Sequence, residues 1–238
     1  MKPPIDLNTR TNRGRHGQRR AHILWMSSVM VAESGFEALT MSALARRLEV
    51  SAASLYKHFP SKQAILGEMA HEVVHEIDHV LTTVTADRPP HTWETLALMC
   101  GSYAKLYTCR PATSAVMNAF IVDPRKLLTD DKRALVWIPM ERWWGEIEAV
   151  LTAMGLPRED AYRTGWLVWS TIQGVLMASD FGENRNITDT VQQAGDAVLW
   201  LLRGSRLTLE ADHEATWRAA FAHGADSTQT FLQTLESP

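Results

Sequence analysis

Apolar residues recur at intervals of three and four along almost the whole chain, and no run alternates with the period of two that a half-buried strand needs. That periodicity restricts the chain to an all-α fold. The spacing predicts a helix over 17–34, where Ile23, Leu24, Met26, Ser27, Met30 and Val31 share a face and Gly35 supplies a terminating residue able to adopt positive φ. Thr40 is placed to cap a short helix from Met41 to Leu48, and Ser51 a second short one from Ala52 to about Phe59, closed by Pro60. Ser61 opens a long helix to about Val84 in which Ile65, Leu66, Met69, Val73, Ile77 and Leu81 step by three or four. Further helices are predicted at 92–109, 112–121, 130–154, 157–180 and 188–202, separated by Pro- or Gly-bearing breaks; 204–238 is too polar for more than a weak helical pattern. Pro139 is expected to kink or split the helix it lies in.

At 238 residues the chain has material for one or two domains and a sizeable core. With 45% hydrophobic and 21% charged residues it is an ordinary globular composition, which excludes wholesale disorder. No apolar run approaches the ~18 residues of a membrane span, and the arginine-rich N-terminus lacks the apolar core of a signal peptide, so a cytoplasmic location is expected. Cys100 and Cys109 fall in one predicted helix, on opposite faces about 13.5 Å apart, too far to pair with each other. No disulfide framework or thiolate zinc site can be built from them.

The net charge of −3 conceals a polarised molecule. Residues 1–62 hold ten Lys and Arg against four acids, a net of +6, and the remainder carries a net of −9. A basic head on an acidic body suggests a polyanion-binding module. Within that head, two short helices joined by Glu49-Val50-Ser51 behind a longer support helix have the form of a helix-turn-helix, whose second helix enters a major groove ~12 Å wide. In that second helix Leu55 and Phe59 can bury against Leu44 and Leu48, which leaves Ala52, Ala53, Tyr56 and Lys57 pointing outward. Small residues at its start allow close approach to base edges. Tyr56, His58 and Lys62 are placed to reach phosphates.

The run Ile23-Leu24, Gly35-Phe36, Ala38-Leu39-Thr40-Met41, Leu44-Ala45, Leu48-Glu49-Val50-Ser51, Ser54-Leu55-Tyr56-Lys57-His58-Phe59, Ser61-Lys62, Ile65-Leu66 resembles the DNA-binding domain of the tetracycline-repressor (TetR) family of bacterial regulators over about 50 residues. The resemblance implies a three-helix DNA-binding head (17–64) after a basic arm (1–16), and a helical effector-binding and dimerisation body (65–238). It implies a homodimeric repressor released from palindromic double-stranded operator DNA by a small molecule; from the residues themselves no membrane association, no cofactor and no enzymatic activity are expected. Carried over by position, Thr40, Ser42, Ser51, Ala52, Ala53, Ser54, Tyr56, Lys57, His58 and Lys62 match typical operator contacts. Glu49 departs from the pattern, standing where the family commonly has a turn glycine. At positive φ such a residue costs about 1 kcal/mol.

Eight of the nine tryptophans lie beyond residue 62, interspersed with methionines, and such side chains line adaptable apolar pockets. With the family architecture in view, the expected effector pocket lies among the helices at 92–109, 112–121, 130–154 and 157–180. Its candidate residues are Trp93, Met99, Tyr103, Met117, Phe120, Trp137, Met140, Trp144, Trp166 and Trp169, with Gln173 as a polar anchor. An apolar or aromatic effector is implied. The family dimerises through its last two major helices, matching 157–180 and 188–202, where Ala161, Gly165, Gly174 and Ala178 permit close approach and Val191, Ala194, Val198, Leu201 and Leu202 form an apolar stripe.

A rival constellation is His71-Glu72-Val73-Val74-His75, which matches the HExxH pattern of helical zinc ligands. The alternative function is therefore a zinc-binding protein, a metal-sensing regulator or a hydrolase, using His71, Glu72 and His75. His79 extends the series, but three such histidines stretch along ~12 Å of helix and cannot close on one ion. No nucleophile-elbow, phosphate-loop or dinucleotide pattern is present. The acid pairs Glu146/Glu148 and Glu159/Asp160 read as exposed helix faces.

Overall fold

The computed structural model describes residues 12–122, 128, 130–179, 187–205, 207 and 209–236. Its helices are α1 (Asn12–Ser34), α2 (Met41–Arg47), α3 (Ala52–Tyr56), α4 (Lys62–Thr85), α5 (Trp93–Cys109), α6 (Pro111–Val122), α7 (Asp130–Ala153), α8 (Arg158–Ser179), α9 (Ile187–Arg203) and α10 (Ala211–Glu236). A single 3-10 turn, Phe36–Ala38, follows α1. No strand occurs among the described residues, as the periodicity requires. None of these helices is long and apolar enough to cross a membrane.

The chain divides into two compact units, and the division differs from the 64/65 boundary expected from the sequence. One unit comprises residues 1–75, 110–137 and 235–238; the other comprises 76–109 and 138–234. The first unit takes in α6 because that helix packs against the support helix α1. The arm expected at 1–16 lies outside the described residues up to position 11, and from Asn12 onward its backbone continues α1.

In the first unit the helix boundaries follow local chemistry. The Thr40 hydroxyl accepts from the Ala43 N–H at 3.1 Å, Ser51 from Ser54 at 3.2 Å and Ser61 from Ala64 at 3.1 Å, so each opening turn has an amide satisfied by the residue read as its cap. Gly35 ends α1 at φ 77°, its N–H donating to the Val31 carbonyl. Helix α3 is shorter than predicted and stops at Tyr56. Ile23, Leu44, Leu55, Phe59 and Ile65 are almost wholly buried and form the core that holds α1 to α4 together.

Helix α2 ends in a Schellman arrangement: the Val50 N–H reaches the Ala45 carbonyl and the Glu49 N–H the Arg46 carbonyl. Glu49 occupies the left-handed position at φ 55°. The same motif ends α7, where Gly155 takes the position at φ 101° and the Leu156 N–H reaches Leu151. One site has the residue its geometry favours, and the other has a glutamate.

Helix α7 runs unbroken through Pro139, so the expected split does not occur. In the second unit the largest departure is α10, a helix of 26 residues where only a weak pattern was legible. Its buried stripe is Trp217, Ala220, Phe221, Gly224, Ala225, Thr228 and Leu232. Small and hydroxyl residues on that stripe keep mean hydropathy low although the face is buried. The contact is close: a Cβ on Gly224 would stand 2.3 Å from the Leu98 carbonyl oxygen, and one on Gly101 2.0 Å from that of Phe221. Ser102 donates to the Gly224 carbonyl, and the indole N–H groups of Trp93 and Trp217 donate to the carbonyls of His213 and Gly195.

Candidate nucleic-acid interface and aromatic core

Helix α3 presents two faces of opposite character. Leu55 and, just beyond the helix, Phe59 are each 1% exposed. Ser51, Ala52, Ala53, Tyr56 and Lys57 are exposed on the other side, with Tyr56 half open to solvent. Thr40 and Ser42, at the start of α2, are exposed as well; Ser54, His58 and Lys62 are half-buried. The outward surface therefore joins small side chains, hydroxyls, one phenol and one ammonium, a set able to meet base edges and phosphates together.

Two cations hold this surface in place from behind. Lys62, expected among the phosphate contacts, donates its Nζ to the Phe36 carbonyl at 2.7 Å and fixes the 3-10 turn that leads into α2. Arg20, read from sequence only as part of the basic head, stacks on Phe59, donates to the His58 carbonyl and pairs with Glu68 at 3.6 Å. It thereby binds the carbonyl end of α3 to α1 and α4. A residue 38 positions away in sequence gives no local signal of that role.

The expected effector residues separate into groups. Tyr103 and Gln173 form a buried pair, the phenol donating to the amide oxygen at 2.5 Å between α5 and α8. Burial raises the Tyr103 pKa above its ordinary value, and neighbouring Tyr107 adds to the rise. Trp144 stacks on Trp166 at 4.3 Å, and Trp169 meets both edge-on at 5.8 and 6.1 Å. The indole N–H of Trp144 is buried with no hydrogen-bond partner. Met140 is buried and Met99 half-buried in the same unit.

Trp93 departs from this group. It packs on Trp217 at 4.8 Å, serving the α5–α10 contact. Met117 and Trp137 belong to the first unit, where Met117 is buried and Trp137 exposed. The side chain of Phe120 lies outside the described residues. A groove of about 310 Å³ that sequence reading missed lies between α5, α9 and α10, floored by Val191, Trp217 and Phe221 and rimmed by Lys105 and Asp226.

The stripe assigned to dimerisation needs correcting. Ala161, Val191, Ala194, Val198 and Leu202 are buried within the chain, and a Cβ on Gly165 would stand 3.0 Å from an Ile147 methyl of α7. Of the expected residues Gly174 and Ala178 stay exposed on α8, and alternation of burial adds Tyr162 and Leu167 on α8 and Trp200, 67% exposed, on α9 to the outward apolar set. Two of the acid groups also differ from expectation. Glu146 accepts the His91 N–H and pairs with its ring, at a position where His91 has φ 57°, and Glu148 pairs with Arg158. Glu159 and Arg163 make the exposed one-turn pair a helix surface favours.

Comparison with known proteins bears on the head first. Residues 28–69 match the family model of bacterial regulatory proteins, tetR family. The HTH-type transcriptional repressor KstR of Mycobacterium tuberculosis is 27% identical over 146 residues, 61% of this chain and 63% of its own length, so the match leaves over a third of that repressor uncovered. A TetR-family regulator from Bordetella parapertussis superposes with a TM-score of 0.61 at 20% identity, covering 81% of this chain and 98% of its own. A regulator from Saccharomonospora viridis solved in complex with choline gives 0.61 at 19% identity, covering 77% and 96%. Over residues 28–69 this chain is therefore similar to the bacterial regulatory proteins of the tetR family, and its all-helical architecture is similar to that of the solved regulators.

Proposed function

We propose that the chain is a dimeric, ligand-responsive transcriptional repressor that places α3 in the major groove of operator DNA. The observation that carries this reading is the division of α3, with Leu55 and Phe59 sealed in the core and Ala52, Ala53, Tyr56 and Lys57 open to a partner. Thr40, Ser42, Ser51, Ser54 and His58 complete the contact surface, and Lys62 supports it through Phe36. The matched tetR model, the repressor KstR and the net +6 of residues 1–62 support the same reading.

A palindromic operator requires two heads about 34–36 Å apart, which a homodimer supplies. The exposed apolar set on α8 and α9, Tyr162, Leu167, Gly174, Ala178 and Trp200, is the surface proposed to pair with a second copy. The effector is proposed to be an apolar or aromatic small molecule bound at the core of Tyr103, Gln173, Trp144, Trp166 and Trp169. The unpartnered Trp144 N–H offers it a donor. The choline found with the S. viridis regulator supports a small organic effector for this fold. Release follows only if the effector binds more tightly to a state whose heads are wrongly spaced.

Light scattering and a DNA mobility shift test this together. A mass of twice 26.7 kDa and retention of the DNA flanking the protein's own gene are expected. A monomer at micromolar concentration, or equal retention of unrelated DNA at physiological salt, contradicts the reading.

A further inference from the structure

Helix α4 carries a histidine pair that DNA binding does not use. His71 and His75 stand one helical turn apart, their Nε2 atoms facing each other at 3.0 Å and their ring centroids 4.3 Å apart. His75 is exposed and His71 half-buried, so an ion can reach both rings. An imidazole nitrogen binds a transition ion at about 2.0–2.1 Å, which puts two cis nitrogens about 2.9 Å apart at a right angle and about 3.3 Å apart at a tetrahedral one. The observed separation falls at the right-angle end of that interval.

We infer that His71 and His75 form a two-imidazole chelate for a divalent transition ion of square-planar or octahedral preference, copper(II) foremost and nickel(II) after it. Water completes the coordination, because no three His, Cys, Asp or Glu side chains converge on one point among the described residues. Two neighbours along α4 have contacts of their own: His79 meets the Phe231 ring edge-on at 5.3 Å, and Glu68 pairs with Arg20. A structural zinc site takes four ligands and a catalytic one three, so this pair suits neither. When the ion enters, the Nε2···Nε2 hydrogen bond is replaced by two nitrogen–metal bonds. The ring that carried its proton on Nε2 shifts it to Nδ1 through solvent, and no redox change takes place.

The helix supplies the chelate's rigidity, since a single turn fixes both Cβ atoms before the ion arrives. The site does not depend on DNA binding by α3. Copper(II) chloride titrated into the full chain, followed by electron paramagnetic resonance and with nickel(II) followed by calorimetry, tests it. We expect one site per chain with hyperfine coupling to two imidazole nitrogens. His71→Ala and His75→Ala should each weaken it at least about tenfold, and His79→Ala should leave it unchanged. A spectrum without two imidazole nitrogens, or equal affinity in His75→Ala protein whose circular dichroism matches the parent, overturns the inference.

Discussion

The guanidinium of Arg20 lies 4.1 Å above the ring of Phe59, and the same group donates to the carbonyl of His58, so one α1 side chain holds both the ring and the backbone that end the α3 segment. Arg20→Ala is expected to lower the free energy of unfolding by about 1–2 kcal/mol, the stacking and charged hydrogen bond being partly screened at a side chain 34% exposed. Arg20→Lys should recover little, because an ammonium lacks the planar fork that stacks and donates at once. Urea denaturation of both variants measures this; a lysine variant as stable as the parent would show that charge alone suffices.

Glu49 holds φ 55° at the end of α2. Relief of left-handed strain outweighs the extra chain entropy of glycine there, and Glu49→Gly should stabilise by about 0.5–1 kcal/mol, visible as a higher thermal midpoint. A lower midpoint would mean that the carboxylate makes a compensating contact.

Helices α5 and α10 touch backbone to backbone at Gly101 and Gly224. Because the obstructing atoms are carbonyl oxygens, which cannot rotate aside, Gly101→Ala should cost about 3 kcal/mol or more. Gly145→Ala, with open space around it on α7, should cost nothing and gain slightly from helix propensity. Similar melting temperatures for the two variants would contradict the close crossing.

Local chemistry made much of this legible. The caps at Thr40, Ser51 and Ser61, the glycine stop at Gly35 and the buried positions Leu55 and Phe59 are each decided by residues within one or two turns, and sequence carries that information directly. Contacts between distant segments were not legible. Arg20 acts through His58 and Phe59, Lys62 through Phe36, and α10 through a Gly-mediated fit that lowers its apolar content while deepening its burial. The dimer stripe was misplaced for a related reason: periodicity locates an apolar face on α9, but Val191, Ala194 and Val198 are used inside the chain. Trp200, one residue off that stripe, stays outside.

The two thiols should differ in reactivity. Burial pushes the Cys100 pKa up to about 12, whereas Cys109 is half-buried beside Gln229. At pH 8 iodoacetamide should label Cys109 alone in the native chain and both in urea. A thiol whose folded pKa is raised stabilises fully below its unfolded value of 9.0 and loses that contribution as pH rises toward 12. Stability should therefore fall through this alkaline range in the parent, and fall less in Cys100→Ala. Rapid native labelling of Cys100 would contradict its burial.

The open face of α3 is proposed to meet DNA, and the anisotropy of a labelled duplex from the region flanking the gene reads that contact. The parent should bind this duplex in preference to unrelated DNA. Lys57→Ala should weaken binding to all sequences and reduce the salt slope by about one phosphate contact, and Ala53→Glu should abolish binding without loss of helicity. Parent-like affinity in correctly folded Ala53→Glu protein would show that α3 does not enter the groove.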